Sequence, residues 1–311
     1  MTLKFMSSNK FKSASPKALL ALISVSIIWG SGFIATEQVI RANWSTGLVM
    51  FSRFSLAALI MGLVLRKKLK FSNKGEIKAG AIAGLLLFLA FFNQTKGQAG
   101  TTVSNAALLT ALNVLIVPFL AKIWLKKNLS FAVLGYCFLA FVGMLVLSYS
   151  EGKFSLNPGD YLVILCAFLF AMHITALEKF SSGTDSSRLC FYQLLFAAIF
   201  SFLTYIVNPE KQVGFSFGDG FLSVVYLAAM STCLCYFLQT WAQQYLPASL
   251  TAVVLCLEGL FGSLFSVVLG YEVFRIQLLI GAVCIIAAAA GASIMESKQD
   301  KAQRVKLDKI V

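Results

Sequence analysis

Charge is scarce in this chain. Only 13% of its 311 residues are Asp, Glu, Lys or Arg, about half the usual share of a soluble globular protein. Hydrophobic residues make up 59% and the mean hydropathy is +0.82. A water-soluble fold of this size cannot hide so much apolar surface, so lipid is the solvent for most of the chain. Other absences narrow the chemistry. A single histidine excludes a His-rich metal cluster. The seven cysteines, from Cys137 to Cys284, all lie inside apolar segments and form no C-x-x-C pair, which reads as small buried side chains. No G-x-x-x-x-G-K-[ST] loop occurs, so the chain does not itself hydrolyse ATP. Neither H-E-x-x-H nor a pair of membrane-buried aspartates is present, which leaves an intramembrane enzyme little to work with. No cofactor is implied.

What is present is a set of long apolar runs. A bilayer core about 30 Å thick needs about 20 apolar residues to cross it as a helix. Ten runs qualify: 18–40, 46–65, 77–95, 101–124, 129–149, 159–180, 188–207, 219–243, 247–271 and 276–295. Outer-membrane strands are shorter and alternate, whereas 80–92 is continuously apolar. In hydrocarbon each backbone polar group must be paired within the segment, so these runs are helices. The fold expected is an all-α integral membrane protein of ten transmembrane helices. Lys4, Lys10, Lys12 and Lys17 precede the first run in the manner of a signal peptide, but no A-x-A site follows, so that run is read as a retained helix. The longest polar loop spans 66–78, and the charged tail 296–311 is expected to fray.

The net charge of +13 would suggest nucleic acid in a soluble protein. Here the basic residues lie between apolar runs, so no nucleic acid is expected. With the N-terminus placed in the cytoplasm, twenty Lys and Arg fall on the inner side and five on the outer. That bias puts both termini in the cytoplasm of a multi-pass cell-membrane protein.

The chain is also duplicated. Shifted by 145 positions, Phe92, Gln94, Thr95, Gln98, Ser104, Ala107, Leu112 and Leu115 meet identical residues, from Phe237, Gln239, Thr240 and Gln243 to Leu260. Shifted by 141, Ala35 and Glu37 meet Ala176 and Glu178. The unit is five helices. Five is odd, so the two halves start on opposite sides of the membrane and form inverted repeats. The expected organisation is an N-terminal cytoplasmic segment 1–17, a first repeat 18–149, a linker 150–158, a second repeat 159–295 and a tail 296–311. Inverted repeats are a common architecture of secondary transporters, with the substrate site near the midplane.

These features carry a family resemblance over 18–295. The Trp29-Gly30-Ser31-Gly32-Phe33 run, Arg53-Phe54, and the ninth-helix series from Ala248 through Leu257-Glu258-Gly259 to Gly270-Tyr271-Glu272 resemble the EamA type of the drug/metabolite transporter superfamily. Two positions depart from it. The family often has Pro after the position of Glu258, where this chain has Gly259, and often Glu at the position of Lys127, the first-half counterpart of Glu272. The resemblance implies movement of amino acids, nucleobase-like compounds or other metabolites, commonly outward.

Polar residues deep in apolar runs cost about 2.5–3.5 kcal/mol when charged, so each needs a reason. Glu258 and its repeat partner Asn113 both lie midway along their helices and would face one central cavity, as a substrate or proton site or as an interhelical hydrogen bond. Arg53 would pair with a carboxylate, act in gating, or snorkel to the outer headgroups. His173, the lone histidine, would bind substrate or bond a neighbouring carbonyl. Trp29, beside two glycines, would stack on a flat substrate or simply pack. Gln193 and Tyr236 lie deep enough to line the cavity, whereas Asn93, Gln94, Gln98, Gln239, Gln243 and Gln244 lie near helix ends, where they would line a cavity entrance or, more simply, be hydrated at the interface. Glu37 and Glu178, also near helix ends, read as structural. The expected substrate-binding set is therefore Trp29, Asn113, His173, Gln193, Tyr236 and Glu258, with Arg53 and Glu258 in coupling or gating.

The function expected is secondary transport of a small polar metabolite, an amino acid or related compound, outward by alternating access, with protons as candidate coupling ions. A channel-like facilitator and an intramembrane enzyme are the alternatives. The partners are the lipid bilayer and the metabolite, with monomer and homodimer both open.

Overall fold

The computed structural model describes residues 15–101, 103–148, 157–181, 183–207, 217–270 and 273–308. They form ten spans and, among the described residues, no strand. Helix α1 runs Pro16–Arg41, α2 Thr46–Leu65 and α3 Lys74–Gln98. Helix α4 comes in two pieces, Val103–Thr110 and Asn113–Leu125, and α5 is Phe131–Ser148. The second set is α6 Pro158–Ser181, α7 Ser186–Val207, α8 Phe217–Ala242, α9 in two pieces, Ala248–Leu255 and Leu257–Val268, and α10 Ile276–Asp308.

Local chemistry sets the boundaries. Pro16 opens α1, where its missing N–H costs nothing. Ser45 caps α2 by accepting from the Leu48 N–H at 3.3 Å. Asn73 and Glu76 cap α3 reciprocally, at 2.9 and 3.2 Å, which starts that helix at Lys74. The connection expected over 66–78 therefore shrinks, and it holds a short 3₁₀ turn at Leu69–Phe71. The tail expected to fray from residue 296 instead continues α10 to Asp308, as a helix leaving the bilayer with polar, helix-favouring residues.

Three spans expected to be uniform are not. In α4 the N–H groups of Val114 and Leu115 bond back only three residues, to Ala111 and Leu112, and Pro118 follows within the second piece. In α9 the Gly259 N–H bonds Cys256 in the same way, and the helix breaks there. These breaks fall at pseudo-equivalent places, just before Asn113 and Glu258. In α8 the stretch Leu227–Leu234 is π-helical, a wider turn often found at functional sites.

Packing interleaves the halves. Helix α3 lies against α6 and α7, α2 against α7, and α1 against α8 and α9, while α5 and α10 pair at the periphery. Both large buried clusters mix residues of the two halves. Gly30 of α1 meets α9 so closely that a Cβ there would sit 2.7 Å from the Gly262 nitrogen and 2.8 Å from the Glu258 carbonyl oxygen. The outer surface carries large exposed apolar side chains such as Leu63, Val64, Phe131, Leu222 and Val283. A surface of that kind suits lipid rather than water. The fold is an all-α membrane protein of ten helices in two inverted five-helix repeats, and both chain ends leave on one face.

Candidate functional site

The breaks in α4 and α9 and the wide turn in α8 surround one cavity of about 600 Å³, counting the part open to solvent. Its lining repeats itself. Trp29 and Phe170, Gly32 and His173, and Phe33 and Ile174 are pseudo-equivalent at the 141 shift. Phe91 and Tyr236, Gln94 and Gln239, Thr110 and Leu255, and Asn113 and Glu258 are so at the 145 shift. The cavity thus lies on the axis that relates the two halves.

Five lining residues lack a lining counterpart: Thr36, Arg53, Gln98, Leu227 and Ser231. Thr36 and Gln98 lie late in helices that start on the face carrying the chain ends. Arg53 lies in the first half of a helix that starts on the opposite face, and Leu227 and Ser231 lie near the middle of α8. Thr36, Gln98 and Arg53 therefore extend the cavity toward the face away from the chain ends.

The expected residues fall in different places. Glu258 is 9% exposed and its carboxylate meets the cavity without a hydrogen bond or ion pair among the described residues. Asn113, 8% exposed, faces the same space. Arg53 is 2% exposed and neither snorkels nor pairs with a carboxylate. Its Nε donates to Thr232 Oγ1 at 3.0 Å, its guanidinium lies 4.3 Å from the Phe91 ring centre, and its Nη2 has no partner. The wide turn supplies Thr232, and the aromatic face takes the place of the carboxylate. Trp29 is fixed by donating from Nε1 to the Ser231 carbonyl at 2.8 Å, and its ring stands 5.3 Å from that of Tyr236.

Gln193 is not in the lining. It lies behind His173, fully buried, with Oε1 2.9 Å from His173 Nε2 and Nε2 donating to Thr240 Oγ1 at 2.9 Å. Its helix, α7, turns that face to α6 and α8 rather than to the cavity. In exchange, Gln94, Gln98 and Gln239, expected at the interface, line the cavity and are partly or fully buried. Gln94 Nε2 donates to Thr110 Oγ1 at 3.1 Å, across to the end of the first α4 piece. The identities at the 145 shift were the signal for these glutamines. Phe91, Phe170, Thr36 and Ser231 carried no such signal.

The face with the chain ends is closed by polar contacts. Glu178 pairs with Lys127 and accepts from the Ala248 N–H at 2.7 Å, tying the ends of α4 and α6 to the start of α9. Gln243 Nε2 donates to the Ile174 carbonyl at 2.8 Å, and Ser181 Oγ to the Gln243 carbonyl at 3.1 Å. Arg188 grips Glu76 at 2.6 and 2.8 Å. On the opposite face Thr101 donates to Asp160 at 2.5 Å and Ser223 to Gln38 at 2.7 Å. These two bonds join the turn after α3 to α6, and α1 to α8, elements already packed side by side.

A family model described as the EamA-like transporter family matches residues 16–149 and again 157–294. The chain belongs to the EamA-like transporter family. Within the wider drug/metabolite transporter superfamily, this EamA chain is 29% identical over 286 residues to an uncharacterized transporter of Archaeoglobus fulgidus, covering 88% of this chain and 85% of the relative. A solved crystal structure superposes with a TM-score of 0.77 at 19% identity, over 91% of this chain and 100% of that one, which speaks for the fold. As an EamA protein the chain is a multi-pass membrane transporter.

One sequence pattern points elsewhere. Gly214 to Gly218 reads G-x-S-x-G, the nucleophile elbow of α/β-hydrolases. That elbow works from a strand-to-helix turn, and no strand occurs among the described residues. Gly214 to Ser216 lie outside them, and the lone His173 is held by Gln193 in the middle of α6.

Proposed function

We propose that this EamA protein exports a small zwitterion, such as an amino acid, by alternating access between its two halves, 18–149 and 159–295, joined by 150–158. The observation that carries this reading is the cavity on the pseudo-two-fold axis. A site on that axis can be offered to either face by exchanging the conformations of the halves. The cavity has a cationic donor in Arg53 Nη2 and a carboxylate in Glu258, the two poles a zwitterion needs. Aromatic rings of Trp29, Phe91, Phe170 and Tyr236 offer its remainder an apolar bed. The bias of basic residues supports chain ends on the cytoplasmic side of a cell membrane. The conformation described then faces outward, with its cytoplasmic side closed. Glu258, which no described residue pairs with, would take up a proton when the substrate ammonium leaves it.

The test is counterflow in proteoliposomes loaded with unlabelled amino acids and given a labelled trace. A saturable carrier accumulates label transiently; a channel-like facilitator shows no counterflow, and that result overturns the reading. Glu258→Gln should lower the rate by about a hundredfold or more while insertion and melting stay near those of the parent, since a buried charge-assisted contact is worth about 3 kcal/mol.

A further inference from the structure

Two buried acceptors in the cavity wall have no partner, and their chemistry can be read from the bonds around them. The Ile174 carbonyl can only accept, so the Gln243 group bonded to it is Nε2. Gln243 Oε1 therefore points the other way, 3.3 Å from Gln239, and Gln239 must offer Nε2 to it. What remains is Gln239 Oε1, buried and unbonded. His173 is set by an amide orientation: with Gln193 Nε2 given to the Thr240 hydroxyl, Oε1 faces His173 Nε2, which then carries the proton. Nδ1 is then a bare lone pair, buried and unbonded. His173 and Gln239 are 0% and 1% exposed, and both line the cavity. They lie together: the His173 ring is edge-on to Tyr236 at 5.6 Å, one turn from Gln239, and the Gln239–Gln243 chain ends on the residue after His173.

We propose that His173 Nδ1 and Gln239 Oε1 form a subsite that selects substrates whose side group carries N–H or O–H donors, such as a carboxamide, phenol or guanidinium. A hydrocarbon side group would leave both acceptors as unpaired as they stand now, whereas an N–H or O–H donor gains a buried hydrogen bond to each. The Gln239 amide cannot turn to become a donor without breaking its buried bond to Gln243, and the His173 tautomer follows the orientation of Gln193. The selectivity is thus built into two relays rather than into two loose side chains. The subsite rests on the zwitterion reading above, because the main-chain ammonium and carboxylate of the substrate are assigned to Glu258 and Arg53.

Two near-isosteric pairs test it in the counterflow assay: L-asparagine against L-leucine, and L-tyrosine against L-phenylalanine. The donor-bearing member should be preferred by about tenfold or more in each pair. His173→Phe with Gln239→Leu should bring both ratios close to one, a change of selectivity that misfolding cannot give. Equal handling of the pair members by the parent protein, or unchanged ratios in the variant, overturns the subsite. If no amino acid is carried, the zwitterion reading fails separately. Propionamide and 2-butanone, followed by tryptophan fluorescence of the purified protein, then decide the subsite. Tighter binding of the amide, lost in the double variant, supports it. Equal binding, or occupation by water alone with neither compound bound, sinks it.

Discussion

The two ends of the cavity are built from the same parts and differ in how tightly those parts close. Gln243 and Gln98 are repeat partners, and so are the carbonyls they reach, those of Ile174 and Phe33. On the face with the chain ends the bond is 2.8 Å; on the other it is 3.3 Å, and Gln98 still touches the cavity. Glu178 and Glu37 are partners too. Glu178 ties three helices through Lys127 and the Ala248 N–H, whereas Glu37, among the described residues, pairs with Arg41 on its own helix, at 2.9 Å. One sequence, used twice, makes a closed gate and a slack one. The difference is conformational in the glutamines, whose chemistry is identical. It is chemical in the ion pair, because Lys127 has an acidic counterpart, Glu272, at the other end. Under the alternating access proposed above, inverted symmetry alone would make the two states equal in energy, and the Lys127–Glu178 pair would favour the state seen here.

That contrast can be broken in graded steps. The largest effect falls where both gates share a pivot. Gly30→Val would drive a side chain into the α9 backbone beside Glu258 and should abolish counterflow, with the melting temperature lowered by several degrees. Glu178→Lys should come next. It leaves two cations facing each other and an α9 start unbonded, and should shift the conformer ratio by about tenfold toward the inward-facing state. A lone cysteine at position 36, in a chain freed of its native cysteines, would then label more slowly from outside; adding Lys127→Glu should restore the rate. Gln243→Leu removes two side-chain bonds, to the Ile174 carbonyl and from Gln239, and should slow the same labelling by about fivefold. The smallest effect belongs to Gln98→Leu, whose bond is long already; labelling should change less than twofold. Equal effects from these two glutamines would show that the gates do not differ.

Much of this was legible before any coordinates. Long apolar runs report lipid directly, and an odd number of helices per repeat forces inversion, so architecture followed from counting. Asn113 and Glu258 were legible because a charge at mid-helix is costly and because repetition marked both. The glutamines were misplaced because hydropathy measures distance along a helix, not distance from water. Broken helices bring a cavity to residues that position alone assigns to the interface. Gln193 erred the other way: depth is visible in a sequence, but the face a helix turns inward depends on neighbours, and here His173 and Thr240 claim the amide. Arg53 shows a third limit. Its natural partner by charge is a carboxylate, yet a threonine and an aromatic ring satisfy it, which leaves one donor free.

The wide turn at Leu227–Leu234 has a mechanical consequence. It holds the Ser231 carbonyl that Trp29 grips and the Thr232 hydroxyl that Arg53 grips, so α1 and α2 are both moored to it. Retightening it by one residue would turn everything beyond by about 100°. Tyr236 and Gln239 would leave the cavity together, like the bit of a key, while the upper half of α8 stayed still. A helix that carries its own spare residue can thus rotate a binding surface without any helix having to slide through the membrane.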